Sequence, residues 1–208
     1  MQEIAAHLFY IMEDTYRTIE APSEGLYKEK GSKFIALAYP VYTEEEVKEI
    51  LTDLRKQYYD ARHHCYAYSL GADKSRYRAN DDGEPNHSAG DPILGQIRSF
   101  DLSNVLVVVV RYFGGTKLGV SGLINAYKTS TAEALSNATI VEKHETTLLQ
   151  VYFAYPQMNN VMSLVKEHEL GVKDQQFELD CRMTLEVRRK LEEEVSGKLQ
   201  GIEGVTVA

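Results

Sequence analysis

Three short phrases hold the residues best suited to chemistry. The first is Arg111-Tyr112-Phe113-Gly114-Gly115-Thr116-Lys117-Leu118-Gly119, which follows the unbroken apolar run 105–110. Such a run predicts a strand covered on both faces. It delivers a charged and an aromatic residue to its end, where the glycines let the backbone turn tightly. Lys117 then precedes the N-terminus of a helix expected over 121–136. Exposed N–H groups, a helix dipole and an ammonium together can cradle an anion or phosphate. The spacing matches neither a Walker A loop nor GxGxxG. The other reading is a glycine turn needed for close strand–helix packing, with Lys117 merely solvated.

The second phrase runs from Asp81-Asp82-Gly83-Glu84-Pro85 through Asn86-His87-Ser88-Ala89-Gly90 to Asp91-Pro92. Its carboxylates could bind a metal or exchange protons. It lacks the alternating acids and terminal Glu of an EF-hand loop, and Asp- and Gly-rich segments are commonly turns and nothing more. The third phrase is Asp60-Ala61-Arg62-His63-His64-Cys65. Cys65 beside histidines invites a nucleophile reading, and His63, His87 and Ser88 invite a triad. However, neighbours on a strand point to opposite faces, so at most one of His63 and His64 shares a face with a given partner. No GxSxG elbow is present.

These phrases must be held by ordinary globular structure. The chain has 208 residues, 43% hydrophobic and 26% charged, enough to bury a core as one large domain or two small ones. Strands are expected over 16–21 and 25–41, the latter broken at Gly31-Ser32 into a hairpin. Thr43 with Glu46 forms a capping box, and Val47, Ile50, Leu51 and Leu54 follow one helical face. A strand over 64–70 precedes the polar segment 71–90. After Val141 the pattern restarts. Leu149, Val151, Phe153 and Tyr155 alternate; Met158, Val161, Met162 and Val165 mark a helix. A weaker strand near 172–177 follows the Gly171 break. Cys181, Met183, Leu185 and Val187 alternate again, Leu191, Val195 and Leu199 mark a second helix, and 205–207 closes the sheet. Strand-helix-strand-strand-helix-strand is the split βαβ, ferredoxin-like plan. The fold class is therefore α+β with two domains: 16–141 and a ferredoxin-like 142–208. Residues 1–15 read as an N-terminal extension, since Met12 offers a second start.

The only two cysteines, Cys65 and Cys181, are far apart and have no zinc spacing, as expected of free thiols in a reducing compartment. The apolar stretch 4–11 is too short to span a bilayer and lacks a basic leader. A soluble, cytoplasmic protein with no membrane association is expected. The formal net charge is −8. Fifteen Lys and Arg face nineteen Asp and Glu up to Val141, and eight face twelve after it, so each half carries −4 and neither is a basic nucleic-acid domain. A local basic patch could still form from Lys28, Lys30, Lys33, Lys74, Arg76, Arg78, Arg111 and Lys117.

In five phrases the sequence resembles the YigZ/IMPACT family: LYKEKGSKFIALAYPV, DARHHCYAY, DDGEP, AGDPIL and NVLVVVVRYFGGTKLGVSGLINAY. The resemblance covers 16–141, and the ferredoxin-like tail matches the bacterial branch. It implies an N-terminal β-α domain like the fourth domain of elongation factor G and a C-terminal domain like the fifth. It also implies a link to translation, since eukaryotic relatives regulate translation through a protein–protein contact. The matching motif positions mark a ligand-binding face of His63, Asp82, Glu84, Arg111, Tyr112, Phe113, Gly114, Gly115, Lys117 and Gly119. The chain departs from its relatives over 86–91. There a glycine is lost, Asp91 replaces a cation and His87 is gained.

The expected function is a non-catalytic binding protein whose partner is RNA, the ribosome or a translation-associated protein, with no cofactor and no metal. The alternative is a metal- or nucleotide-dependent enzyme acting at a cleft of His63, Glu84 and Lys117.

Overall fold

The structure is a computed structural model that describes residues 14–178 and 180–208. The second start at Met12 and all but the end of the expected extension lie outside the described residues. The chain divides into two compact units, residues 16–143 and residues 144–208 with the described start of the chain.

In the first unit, β1 (Thr15–Ile19) pairs with β7 (Ile140–His144) as a small ribbon. The main sheet has five strands: β2 (Ser23–Glu29), β3 (Ser32–Pro40), β4 (His63–Leu70), β5 (Arg76–Asn80) and β6 (Val105–Tyr112). Its order is β2-β3-β6-β4-β5, with every neighbouring pair antiparallel. β6 is the central strand, and Val105 to Val110 are fully buried, as the unbroken apolar run predicts. Val105, Val107 and Val109 join a core under α2 (Gly90–Ser99) and α3 (Gly119–Ser136). Leu106, Val108 and Val110 join the opposite core under α1 (Glu44–Gln57). The unit is thus a sheet between two helical layers.

Helix α1 starts with the expected capping box. The Thr43 hydroxyl accepts the Glu46 N–H, and the Glu46 carboxylate accepts the Thr43 N–H in return. Two elements lie in and just after the segment 71–90, which the sequence marks only as polar with a turn. β5 is a polar strand that exists by pairing with β4 at the sheet edge. Helix α2 begins on Gly90, and Ile93, Leu94 and Ile97 turn into the core.

In the second unit, β8 (Thr146–Ala154), β9 (Gly171–Gln176), β10 (Asp180–Arg188) and β11 (Val205–Val207) form a sheet of order β11-β8-β10-β9. Helices α4 (Met158–Glu167) and α5 (Glu192–Gln200) complete it. In strand numbering local to the unit this is fourth-first-third-second, the ferredoxin-like arrangement. Leu149, Val151, Phe153, Met183, Leu185 and Val187 supply one buried face, matching the alternation in sequence. No helix among the described residues is long and apolar enough to cross a membrane.

Candidate functional site

Strand parity decides where the central motif points. Arg111 has the parity of Val105, Val107 and Val109, so it faces α2 and α3, whereas Tyr112 faces α1. Arg111 lies between Phe34 on β3 and His63 on β4 in the register of the sheet. Its side chain is 8% exposed, and Nη1 donates to Glu84 Oε1 at 2.5 Å, a carboxylate only 4% exposed. The Tyr127 hydroxyl of α3 donates to the same oxygen at 2.8 Å. The Arg111 guanidinium lies 5.4 Å from the Phe34 ring centre and 5.8 Å from that of Phe113, while Phe34 and Tyr127 meet edge to face at 5.2 Å. This network is an internal strut joining the β5–α2 loop, β6 and α3. Its outermost member is Phe113, which is 56% exposed.

The acidic turn is also structural. Asp81 accepts the N–H groups of His87, Ala89 and Gly90, holding the start of α2. Asp82 accepts the His64 N–H at 2.7 Å and pairs with Arg55 at 3.3 Å. His63 Nδ1 lies 2.9 Å from the Asp82 carbonyl oxygen, which only accepts, so Nδ1 carries the proton. In the loop 86–91, His87 and Asp91 pair with each other at 2.6 Å.

Cys65 is buried, and desolvation pushes its thiol far above the usual range, the reverse of what a nucleophile needs. Desolvation likewise raises the Tyr127 phenol, the nearby Cys65 and Glu84 adding to it. Tyr112, on the α1 face, is pushed up to about 12 by desolvation, then by its hydrogen bond to Asp60.

His64 also faces α1, where desolvation lowers its pKa and Asp82 opposes the shift. The folded state therefore holds the imidazole neutral. Its contribution to stability is complete above the unfolded pKa of about 6.5 and falls as pH drops below it. Denaturation midpoints should decline between pH 7 and pH 5, and His64→Gln should flatten that decline. An unchanged slope in the variant would show that His64 is not the titrating group.

The remaining motif residues line the surface at the same end of the sheet. Gly31, in the β2–β3 turn at φ +80°, packs against the Gly114 backbone. A Cβ on Gly114 would sit 1.9 Å from the Gly31 carbonyl carbon and 2.1 Å from the Ser32 nitrogen. Ser32, fully buried, accepts the Gly114 N–H on its hydroxyl at 3.1 Å. This contact seats a hairpin tip carrying Lys30 beside the loop of Phe113, Gly114, Gly115 and Lys117, while Lys28 and Lys33 have the parity of Tyr112 and belong to the α1 face. Gly115 and Gly119 both have positive φ, and no side chain caps the start of α3.

The ten sequence-derived positions thus separate. Phe113, Gly114, Gly115, Lys117 and Gly119 form the loop beside the hairpin. Arg111 and Glu84 lie beneath it, His63 and Asp82 brace the acidic turn, and Tyr112 lies on the other face. The eight candidate basic residues separate too: Arg76 and Arg78 lie on β5 at the far edge, and Lys74 pairs with Asp101. Sequence reasoning missed Ser32 and Phe34, whose roles depend on register between distant strands. Among the described residues, no group of three His, Cys, Asp or Glu could hold a metal ion.

The family model described as the Impact N-terminal domain matches residues 30–135. The chain is 34% identical to the IMPACT family member YvyE of Bacillus subtilis over 77% of this chain and 74% of that protein. It is 35% identical to the IMPACT family member YigZ of Escherichia coli over 65% of this chain and 68% of that protein. A crystal structure described only as a hypothetical protein superposes with a TM-score of 0.72 at 28% identity, covering 94% of this chain and 97% of its own.

Proposed function

The chain belongs to the IMPACT family, and from that premise we propose that its first unit is a non-catalytic module that binds RNA in the setting of translation. The observation that carries this reading is the Gly31–Gly114 contact, which unites the lysine-bearing hairpin tip with the glycine loop and an exposed Phe113. Ammonium groups neutralise phosphates, an exposed ring offers a stacking platform, and glycines let a backbone approach closely. The net charge of −8 means that repulsion elsewhere tempers affinity, so binding should be modest and salt-sensitive.

The internal strut supports a binding role over the enzyme alternative. Glu84 is committed to Arg111 and Tyr127, and His63 to the Asp82 carbonyl, so the two acid–base groups of the expected cleft already have structural partners. Arg111 acts by fixing Phe113 and the start of the loop.

Titration of a fluorescent single-stranded RNA at low salt tests the proposal. Lys30→Ala and Lys117→Ala should each weaken binding and reduce the salt slope by about 1. Phe113→Ala should cost about 1–3 kcal/mol with the slope retained. Absence of binding at low salt would overturn the RNA reading and leave a protein partner.

A further inference from the structure

At the β2 edge of the same hairpin, open toward the α1 side, lies a cavity of about 550 Å³, within the range of small-ligand sites. Two adjacent cross-strand pairs of one parity line it. Leu26 opposes Ile35, and one step nearer the turn Lys28 opposes Lys33. Tyr58, at the end of α1, and Glu24 and Gly25 of β2 add to its walls, and Glu133 and Asn137 close it across the β2 edge. Leu26 remains 46% exposed despite lying in a sheet, because α1 does not cover this corner.

Two features indicate the chemistry of an occupant. Like charges placed directly opposite on neighbouring strands are destabilising, and among the described residues neither Lys28 nor Lys33 is in a salt bridge. An anion seated between them removes that repulsion. The edge of β2 is meanwhile closed to an added strand. Glu133 accepts the outward Leu26 N–H at 3.1 Å, and Asn137 donates to the Glu24 carbonyl at 2.8 Å. The occupant therefore lies on the sheet face.

Along β2 the lining passes from cation through apolar to carboxylate. Lys28 and Glu24 are four residues apart, about 13 Å at the rise of a strand. A nucleoside monophosphate has the complementary order: phosphate at one end, a flat ring between, and an exocyclic amine on the far edge of adenine, guanine or cytosine.

We propose that this corner is a nucleotide pocket. The phosphate bridges Lys28 and Lys33, the base lies on Leu26 and Ile35 beside Tyr58, and Glu24 accepts from the exocyclic amine. Uracil lacks that donor and is disfavoured. The pocket extends the RNA-binding reading, from which it takes its setting, but rests on different residues.

The test is an NMR titration of the full chain with 5′-AMP, 5′-UMP, inorganic phosphate and an acidic peptide. AMP should saturate with shifts at the Leu26 and Ile35 amides, about tenfold tighter than UMP or phosphate. Lys28→Gln/Lys33→Gln, at two exposed positions, should abolish that advantage. Phe113→Ala, which weakens strand binding, should leave AMP affinity unchanged. A hexamer of adenylate that competes with AMP identifies the ligand as a nucleotide within a strand; AMP binding without competition identifies a free nucleotide. AMP binding no tighter than phosphate, preference for the acidic peptide, or indifference to the double lysine variant would overturn the pocket. RNA binding could survive any of those results, so the two readings fail separately.

Discussion

Arg111→Met should destabilise the first unit by about 3–5 kcal/mol, measured by urea denaturation followed by circular dichroism. The substitution keeps much of the apolar volume but leaves Glu84 buried, with Tyr127 its sole remaining side-chain donor among the described residues. The large effect is the cost of stranding a desolvated charge; the net worth of the pair is a separate and smaller quantity. Glu84→Gln strands the other partner and should also destabilise. The double variant Glu84→Gln/Arg111→Met removes both charges while retaining an acceptor for Tyr127. It should be clearly more stable than the sum of the single effects predicts. A loss below about 1 kcal/mol in Arg111→Met is the behaviour of an exposed pair and would contradict an internal strut.

The second large effect is expected at Gly114. Its hypothetical Cβ meets backbone atoms of Gly31 and Ser32, which cannot yield by a rotamer change. Gly114→Ala must therefore part the hairpin tip from the loop and break the Gly114–Ser32 hydrogen bond. Overpacking of this kind costs about 1–3 kcal/mol and sometimes more. It should also abolish RNA binding, because the tip that carries Lys30 no longer sits beside Phe113 and Lys117. Gly115→Ala offers a contrast: nothing lies within 4 Å of its Cβ, but φ is +86°. It should cost about 1–2 kcal/mol through backbone strain while preserving the hairpin contact. Amide hydrogen exchange at Gly114 separates the two, with protection lost only in Gly114→Ala. Retained protection and retained binding in Gly114→Ala would show that the seat is not needed.

Much of this architecture was legible in the residues because local pattern and tertiary role agreed. The apolar run ending at Val110, the Thr43–Glu46 cap and the alternation of Met183, Leu185 and Val187 each specify one element. β5 was not legible: Arg76-Tyr77-Arg78 has no buried face to advertise, and the strand depends on β4 for its pairing. Helix α2 was hidden by Gly90, Pro92 and Gly95, although Ile93, Leu94 and Ile97 carry its face and Asp81 secures its start. Within the candidate site, sequence located the glycine loop but could not separate Arg111 from Tyr112. Their parity acquires meaning only once one layer of helix lies on each side of β6. Nor could it bring the hairpin tip to the glycine loop, which depends on a contact between positions 31 and 114.

The most direct test of the proposed RNA-binding face places a photo-crosslinking phenylalanine analogue at Phe113 and, as a control, at Tyr77 on the far edge strand. Both side chains are largely exposed, so either position tolerates the analogue. Irradiation in lysate followed by nuclease treatment should yield nuclease-sensitive adducts from position 113 and few from position 77. Equal crosslinking at the two positions, or adducts at 113 that resist nuclease and contain only protein, would contradict RNA binding by the hairpin and glycine loop.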